Sequence, residues 1–138
     1  MSILTTATTL PDGVIEDAVA RIAADGYAIV PGVLDAAQCA EVLDRLWAGA
    51  AECDRRGLRP RAEQLDPNEH NVRVWNLLDL DPVFVELIQH PVADALVGAV
   101  LGADYIISNF TANIARPGSG SMSVHSDQSL VVPPPWDR

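Results

Sequence analysis

The chain has 138 residues, 49% hydrophobic and 20% charged, which is long enough to bury a core and too apolar for a disordered or low-complexity chain. The formal net charge is −10 and all nine cations are arginine, so a phosphate-backbone partner is disfavoured, and a lysine Schiff base and a Walker-type phosphate loop are excluded. No run approaches the ~20 apolar residues of a membrane span, and "MSILTTATTLPDG" has neither a basic n-region nor an apolar h-region; a cytoplasmic protein with no membrane and no nucleic-acid partner is expected.

In chain order, "LPDGVIEDAVARIAADG" reads as a helix. Asp12 suits its cap, Val14, Ile15, Ala18, Val19 and Ile22 form one stripe, and Gly26 fits its C-terminal turn. "YAIVPGV" is a short β-rich run broken by Pro31 and Gly32. "LDAAQCAEVLDRLWAGAAECDRR" carries the strongest helix signal. Asp35 is its expected cap, Val42, Leu43, Leu46, Trp47 and Ala50 its expected buried face, and arginines close its last turn. Cys39 and Cys53 share this helix at a spacing that suits neither zinc nor a redox pair, so both are expected as small buried hydrophobes.

Residues 57–71 turn polar and irregular, a loop of the length that is more often functional or mobile than inert. "VRVWNLL" then reads as a strand, and "LDPVFVELIQH" as a helix capped by Asp81 with Pro82 at its first position. Pro91 opens a further helix ending at Gly102. The longest strand candidate is "DYIISNFTANIARPG", followed by the Gly/Ser turn "PGSGSMS". Helices precede strands with no internal repeat, which implies one α+β domain over 1–138, helical over 12–102 with strands over 104–138, and not a doubly wound fold.

The chemistry concentrates in "VHSDQ". Residues i and i+2 of a strand share a side, so His125 and Asp127 can present one nitrogen and one oxygen to a single ion. That is two-thirds of the 2-His-1-carboxylate triad, which leaves three positions open on iron(II). The triplet alone also reads as a surface histidine beside a turn-forming aspartate, and composition by itself could supply it. Of the other histidines, His90 ends a helix, where an imidazole commonly meets free carbonyls, and His70 lies in the polar loop as a solvated side chain.

The segments "GYAIVPGVLDAAQCAEVLDRL", "RVWNLLDLDPVFVELIQHP" and "NFTANIARPGSGSMSVHSDQSLVVPPPW" together resemble the phytanoyl-CoA dioxygenase family of iron(II)/2-oxoglutarate oxygenases, from about residue 26 to residue 136. The resemblance implies a double-stranded β-helix, a jelly-roll or cupin-like barrel with helices packed outside, present here only in part because the C-terminal half is absent. It matches His125 and Asp127 to the first two iron ligands. It sets Arg73 where family members can place a cation near the 2-oxoglutarate carboxylate, the other reading being a solvated strand charge. Asn109, Thr111 and Asn113 alternate on one face of the long strand, either its wet side or a pocket wall. Asn113 is the one assigned to cosubstrate, and Gln128, beside the ligand pair, can touch cosubstrate or substrate.

The implied activity is hydroxylation of a small-molecule substrate with molecular oxygen, using iron(II) and 2-oxoglutarate. Asp127 fills the position a halogenase leaves open for chloride. The family's second histidine ligand and its carboxylate-anchoring arginine lie downstream of His-x-Asp and have no counterpart here. The chain is therefore expected as the N-terminal part of an oxygenase, inactive alone, and either completed by another chain or self-associating through open sheet edges. Two other classes compete: a non-catalytic interaction module or pseudoenzyme that keeps the helical shell, and a zinc or manganese hydrolase or cupin built on the same pair.

Overall fold

Local capping chemistry fixes where most of the helices start. The structure, a computed structural model, describes residue 4 and residues 11–58, 70–121 and 124–125. Helix α1, Val14–Asp25, begins after Gly13 and not on an Asp12 side-chain cap. Gly13 takes φ 81°, in the left-handed region that glycine adopts without strain, and no side chain caps this end. Its expected stripe holds, with Ala18 buried and Val14, Ile15, Val19 and Ile22 half-buried, and Gly26 closes it with its N–H donating to the Ile22 carbonyl at 3.0 Å.

The expected β-rich run at 27–33 is not a strand. Residues 27–30 are irregular, with Tyr27 67% and Ile29 81% exposed, because among the described residues no neighbouring strand offers them a ladder. Helix α2, Ala36–Arg55, starts at Asp35 through a reciprocal capping box. Asp35 Oδ1 accepts from the Gln38 backbone N–H and Gln38 Oε1 accepts from the Asp35 N–H, each at 2.8 Å. It ends in a Schellman arrangement: Gly57 has φ 69°, its N–H donates to Asp54 O at 3.0 Å, and Leu58 N–H donates to Cys53 O at 2.9 Å. In the last turn Glu52 accepts from Arg55 and Arg56, and these bonds hold its carboxyl down to about 2.

The buried face of α2 differs from the expected one. Ala50 is buried and Val42 and Leu46 are half-buried, but Leu43 is 51% and Trp47 40% exposed. Their places are taken by Gly49 and Cys53. A Cβ on Gly49 would meet Leu80 Cδ1 at 3.1 Å and Val74 Cγ1 at 3.7 Å, so the small residues face the closest approach and the large ones flank it. Cys53 is fully buried as expected, whereas Cys39 is exposed: in the first turn of the helix it is the neighbouring Gln38 that is buried.

Strand β1, Asn71–Val74, pairs antiparallel with β2, Ala112–Ala115, and this ladder is the whole sheet among the described residues. Of the long strand expected from residue 104, only these four residues are laddered, since β1 presents only four partners. Leu77 N–H donates to Phe110 O at 3.1 Å, which carries the pairing one step further past Asn76 at φ 55° into the single 3-10 turn Leu77–Asp79. Helix α3, Pro82–Ile88, follows with Asp81 Oδ1 accepting from Val83 N–H at 2.9 Å and Pro82 in its first turn, as expected. Helix α4, Pro91–Leu101, ends at Gly102 and packs on α1.

His90 is the hinge between α3 and α4. It is 5% exposed, and its Nδ1 accepts from Val92 N–H at 3.3 Å. Its role is structural, but it caps the start of α4; the expected contact with carbonyls at the end of α3 is replaced by this one. No single helix among the described residues is long and apolar enough to cross a membrane; α3 and α4 reach that test only together, and they are bent by 46°. The core lies where α2, α3 and the sheet meet: Ala50, Cys53, Val74, Leu77, Val83 and Phe84 with Leu4, backed by Val72, Phe110, Ala112 and Ile114. The result is a mixed α+β arrangement of helices on a two-stranded sheet.

Candidate functional site

The sheet sorts its residues by alternation. In the observed register Val72 faces Ile114 and Val74 faces Ala112, and all four pack toward the core. The other side therefore carries Asn71 opposite Ala115 and Arg73 opposite Asn113. Directly opposed side chains in an antiparallel pair are close enough to act on one ligand. Two of the residues expected around a cosubstrate, forty positions apart in sequence, thus become cross-strand neighbours.

Arg73 is half-buried and Asn113 exposed. The Arg73 side chain leaves water at its inner end, where Nε is buried, while the β2 partner stays open to solvent. By type, a guanidinium and an amide directly opposed across two strands are the donors that a carboxylate accepts. Asn109 and Thr111, the other members of the polar stripe, precede β2 and lie outside the ladder, Asn109 exposed and Thr111 half-buried.

Beyond β2 the chain turns as the Pro-Gly dipeptide predicts. Ser119 N–H donates to Arg116 O at 3.0 Å, and Gly118 takes φ 86°. The turn leads toward His125, whose imidazole is exposed. Asp127 and Gln128 lie outside the described residues. Among the described residues no three His, Cys, Asp or Glu side chains gather as a metal cluster. His90 is committed to its cap, and exposed His70 lies against the turn: a Cβ on Gly118 would stand 3.8 Å from His70 Cδ2 and Nε2.

The turn brings together Arg116, to which the sequence gives no role, and Trp47, expected only on the buried face of α2. The Arg116 guanidinium sits 5.4 Å from the Trp47 ring centroid, within cation–π range. An arginine immediately before Pro-Gly was a visible signal, but its partner 69 positions upstream was not.

Comparison with known proteins places these observations in a lineage. The family model described as phytanoyl-CoA dioxygenase matches residues 22–137. Dioxygenase af480 of Aspergillus fumigatus is 43% identical over 122 residues, covering 88% of this chain and 40% of that protein's length. No solved structure matches the chain. A family match over most of the chain, joined to that identity, makes this protein a member of the phytanoyl-CoA dioxygenase family.

Proposed function

We propose that this chain carries part of the site of an iron(II)/2-oxoglutarate-dependent hydroxylase of small molecules, on the first strands of a jelly-roll barrel. The observation that carries the reading is the pairing of Arg73 with Asn113 on one side of the β1–β2 sheet, from which the chain leaves through the 116–119 turn ahead of the His-x-Asp pair in sequence. The chain spans 40% of the length of the dioxygenase it matches, so the activity is proposed for the whole protein of which these residues form a part.

The donor set fits the metal in kind. An imidazole and a carboxylate two residues apart supply one nitrogen and one oxygen, the donors iron(II) takes in a facial triad, as two of its three protein ligands. The cation and amide on the sheet fit a dicarboxylate. When bound, iron(II) with 2-oxoglutarate supplies the redox chemistry that couples dioxygen to substrate hydroxylation. His125 contributes a neutral ring nitrogen and Asp127 an anionic oxygen. Arg73 binds a cosubstrate carboxylate through charge-assisted hydrogen bonds, and Asn113 orients it with an amide donor. Gln128, next in sequence to the ligand pair, is assigned a contact with substrate or cosubstrate.

The test supplies iron(II), 2-oxoglutarate and ascorbate to the whole protein and measures succinate. Turnover is expected, and Asp127→Ala is expected to weaken metal binding by more than the ~10–100-fold that losing an outer hydrogen-bond partner costs. Arg73→Ala is expected to weaken 2-oxoglutarate binding by roughly 10-fold or more, the worth of a charged hydrogen bond. Absence of both succinate and cosubstrate binding, or an Asp127→Ala protein with every function intact, rejects the reading in favour of a non-catalytic module.

A further inference from the structure

The 116–119 turn is held from two sides by residues outside the proposed ligand set. On one side Arg116 lies over Trp47, its guanidinium carbon 5.4 Å from the ring centroid, and Trp47 is the large residue left on the flank of α2 at 40% exposure. Among the described residues Arg116 forms no salt bridge, so the ring is its identified anchor. On the other side the turn's Gly118 sits against the His70 ring, which immediately precedes β1. The turn's own closure, Ser119 N–H to Arg116 O at 3.0 Å, starts from the residue that stacks on Trp47.

We propose that Trp47, Arg116 and His70 clamp this turn and thereby position His125, so that Trp47 and Arg116 are positioning residues for the metal-binding segment. The inference rests on the proposed function for the identity of His125 as a ligand. The physical need is set by "RPGSGS", residues 116–121: glycine and serine carry little side chain to fix the path by which the chain leaves β2. A tether at its first residue removes part of that freedom before a metal arrives. The α2 flank and the start of β1 are both attached to the core, so the turn is referenced to the same frame as Arg73 and Asn113.

An exposed cation–π contact predicts a modest effect, roughly 2- to 5-fold in the population of the ordered turn. The experiment uses the 138-residue chain, with hydrogen exchange at the Ser119 amide and paramagnetic broadening of the His125 ring signals by Mn(II) as readouts. Arg116→Ala and Trp47→Leu should each speed exchange and raise the Mn(II) concentration at half-broadening by about 2- to 5-fold, with the melting temperature unchanged. Arg116→Lys and Trp47→Phe, which keep a cation and a ring, should recover most of both. The double variant Arg116→Ala/Trp47→Leu should be no worse than either single change, since both remove one contact. The clamp is overturned by unchanged exchange and an unchanged Mn(II) midpoint in Arg116→Ala, by additive effects, or by a midpoint that moves only together with the melting temperature. Asp127→Ala separates the two claims. If it leaves broadening at His125 unaltered, the metal reading fails and takes the positioning role with it; if it abolishes broadening while Arg116→Ala has no effect, the clamp alone fails.

Discussion

His90 illustrates how a histidine in a candidate metalloprotein can be fully accounted for by helix chemistry. It is buried at 5% exposure, follows α3, and offers Nδ1 to the Val92 N–H, one of the orphan donors at the start of α4. We expect His90→Ala to destabilise the protein by about 0.5–2 kcal/mol through the lost cap, with His90→Asn recovering much of it because asparagine caps well. Urea unfolding of the three proteins measures this, and neither change should alter Mn(II) broadening at His125. Arg73 and Asn113 are the opposite case. Each alone is an ordinary polar strand residue, and only their direct opposition gives them a joint chemical meaning.

At the scale of elements, the signals that were legible are those whose physics is local. Asp35 with Gln38, Asp81 with Pro82, and Pro91 mark helix starts because the groups they satisfy lie within three residues. Strands were less legible, because a ladder needs a partner the local sequence does not name. The run at 27–33 has none among the described residues, and the segment from 104 is laddered only over Ala112–Ala115, opposite β1. The buried face of α2 differs from the expected one for a related reason: large apolar side chains suggest burial at Leu43 and Trp47, whereas Val74 and Leu80 approach at Gly49, with Ala50 and Cys53 buried beside it. The last turn of α2 carries a pH prediction. Hydrogen bonds from Arg55 and Arg56 hold Glu52 down to about 2 from its ordinary 4.5. A carboxyl depressed on folding contributes stability that is fully present above pH 4.5 and is lost as pH falls toward 2. Because the arginines are largely exposed, the effect is small and screened by salt. Melting temperatures from pH 5 to pH 2 should thus fall less steeply for Glu52→Gln than for the native chain, and the difference should shrink at high salt.

At the scale of the molecule, one small core ties α2, α3 and the sheet together, and Phe84, 1% exposed, is its largest fully buried side chain. Phe84→Ala should cost about 3–5 kcal/mol, read as a lower urea midpoint for α2, α3 and the sheet together. Because that core backs the inner side of the β1–β2 ladder, the same change should also loosen the Arg73–Asn113 side, and on the proposed function it should weaken 2-oxoglutarate binding. By itself the sequence determined the family, the starts of α2, α3 and α4 and the His-x-Asp pair, since these rest on contiguous residues whose spacing is chemistry. The tertiary structure alone decided which strands pair and in what register, and hence that Arg73 meets Asn113 and Arg116 meets Trp47. Those contacts join positions dozens of residues apart, and no local pattern encodes a distance that only packing around a shared core creates.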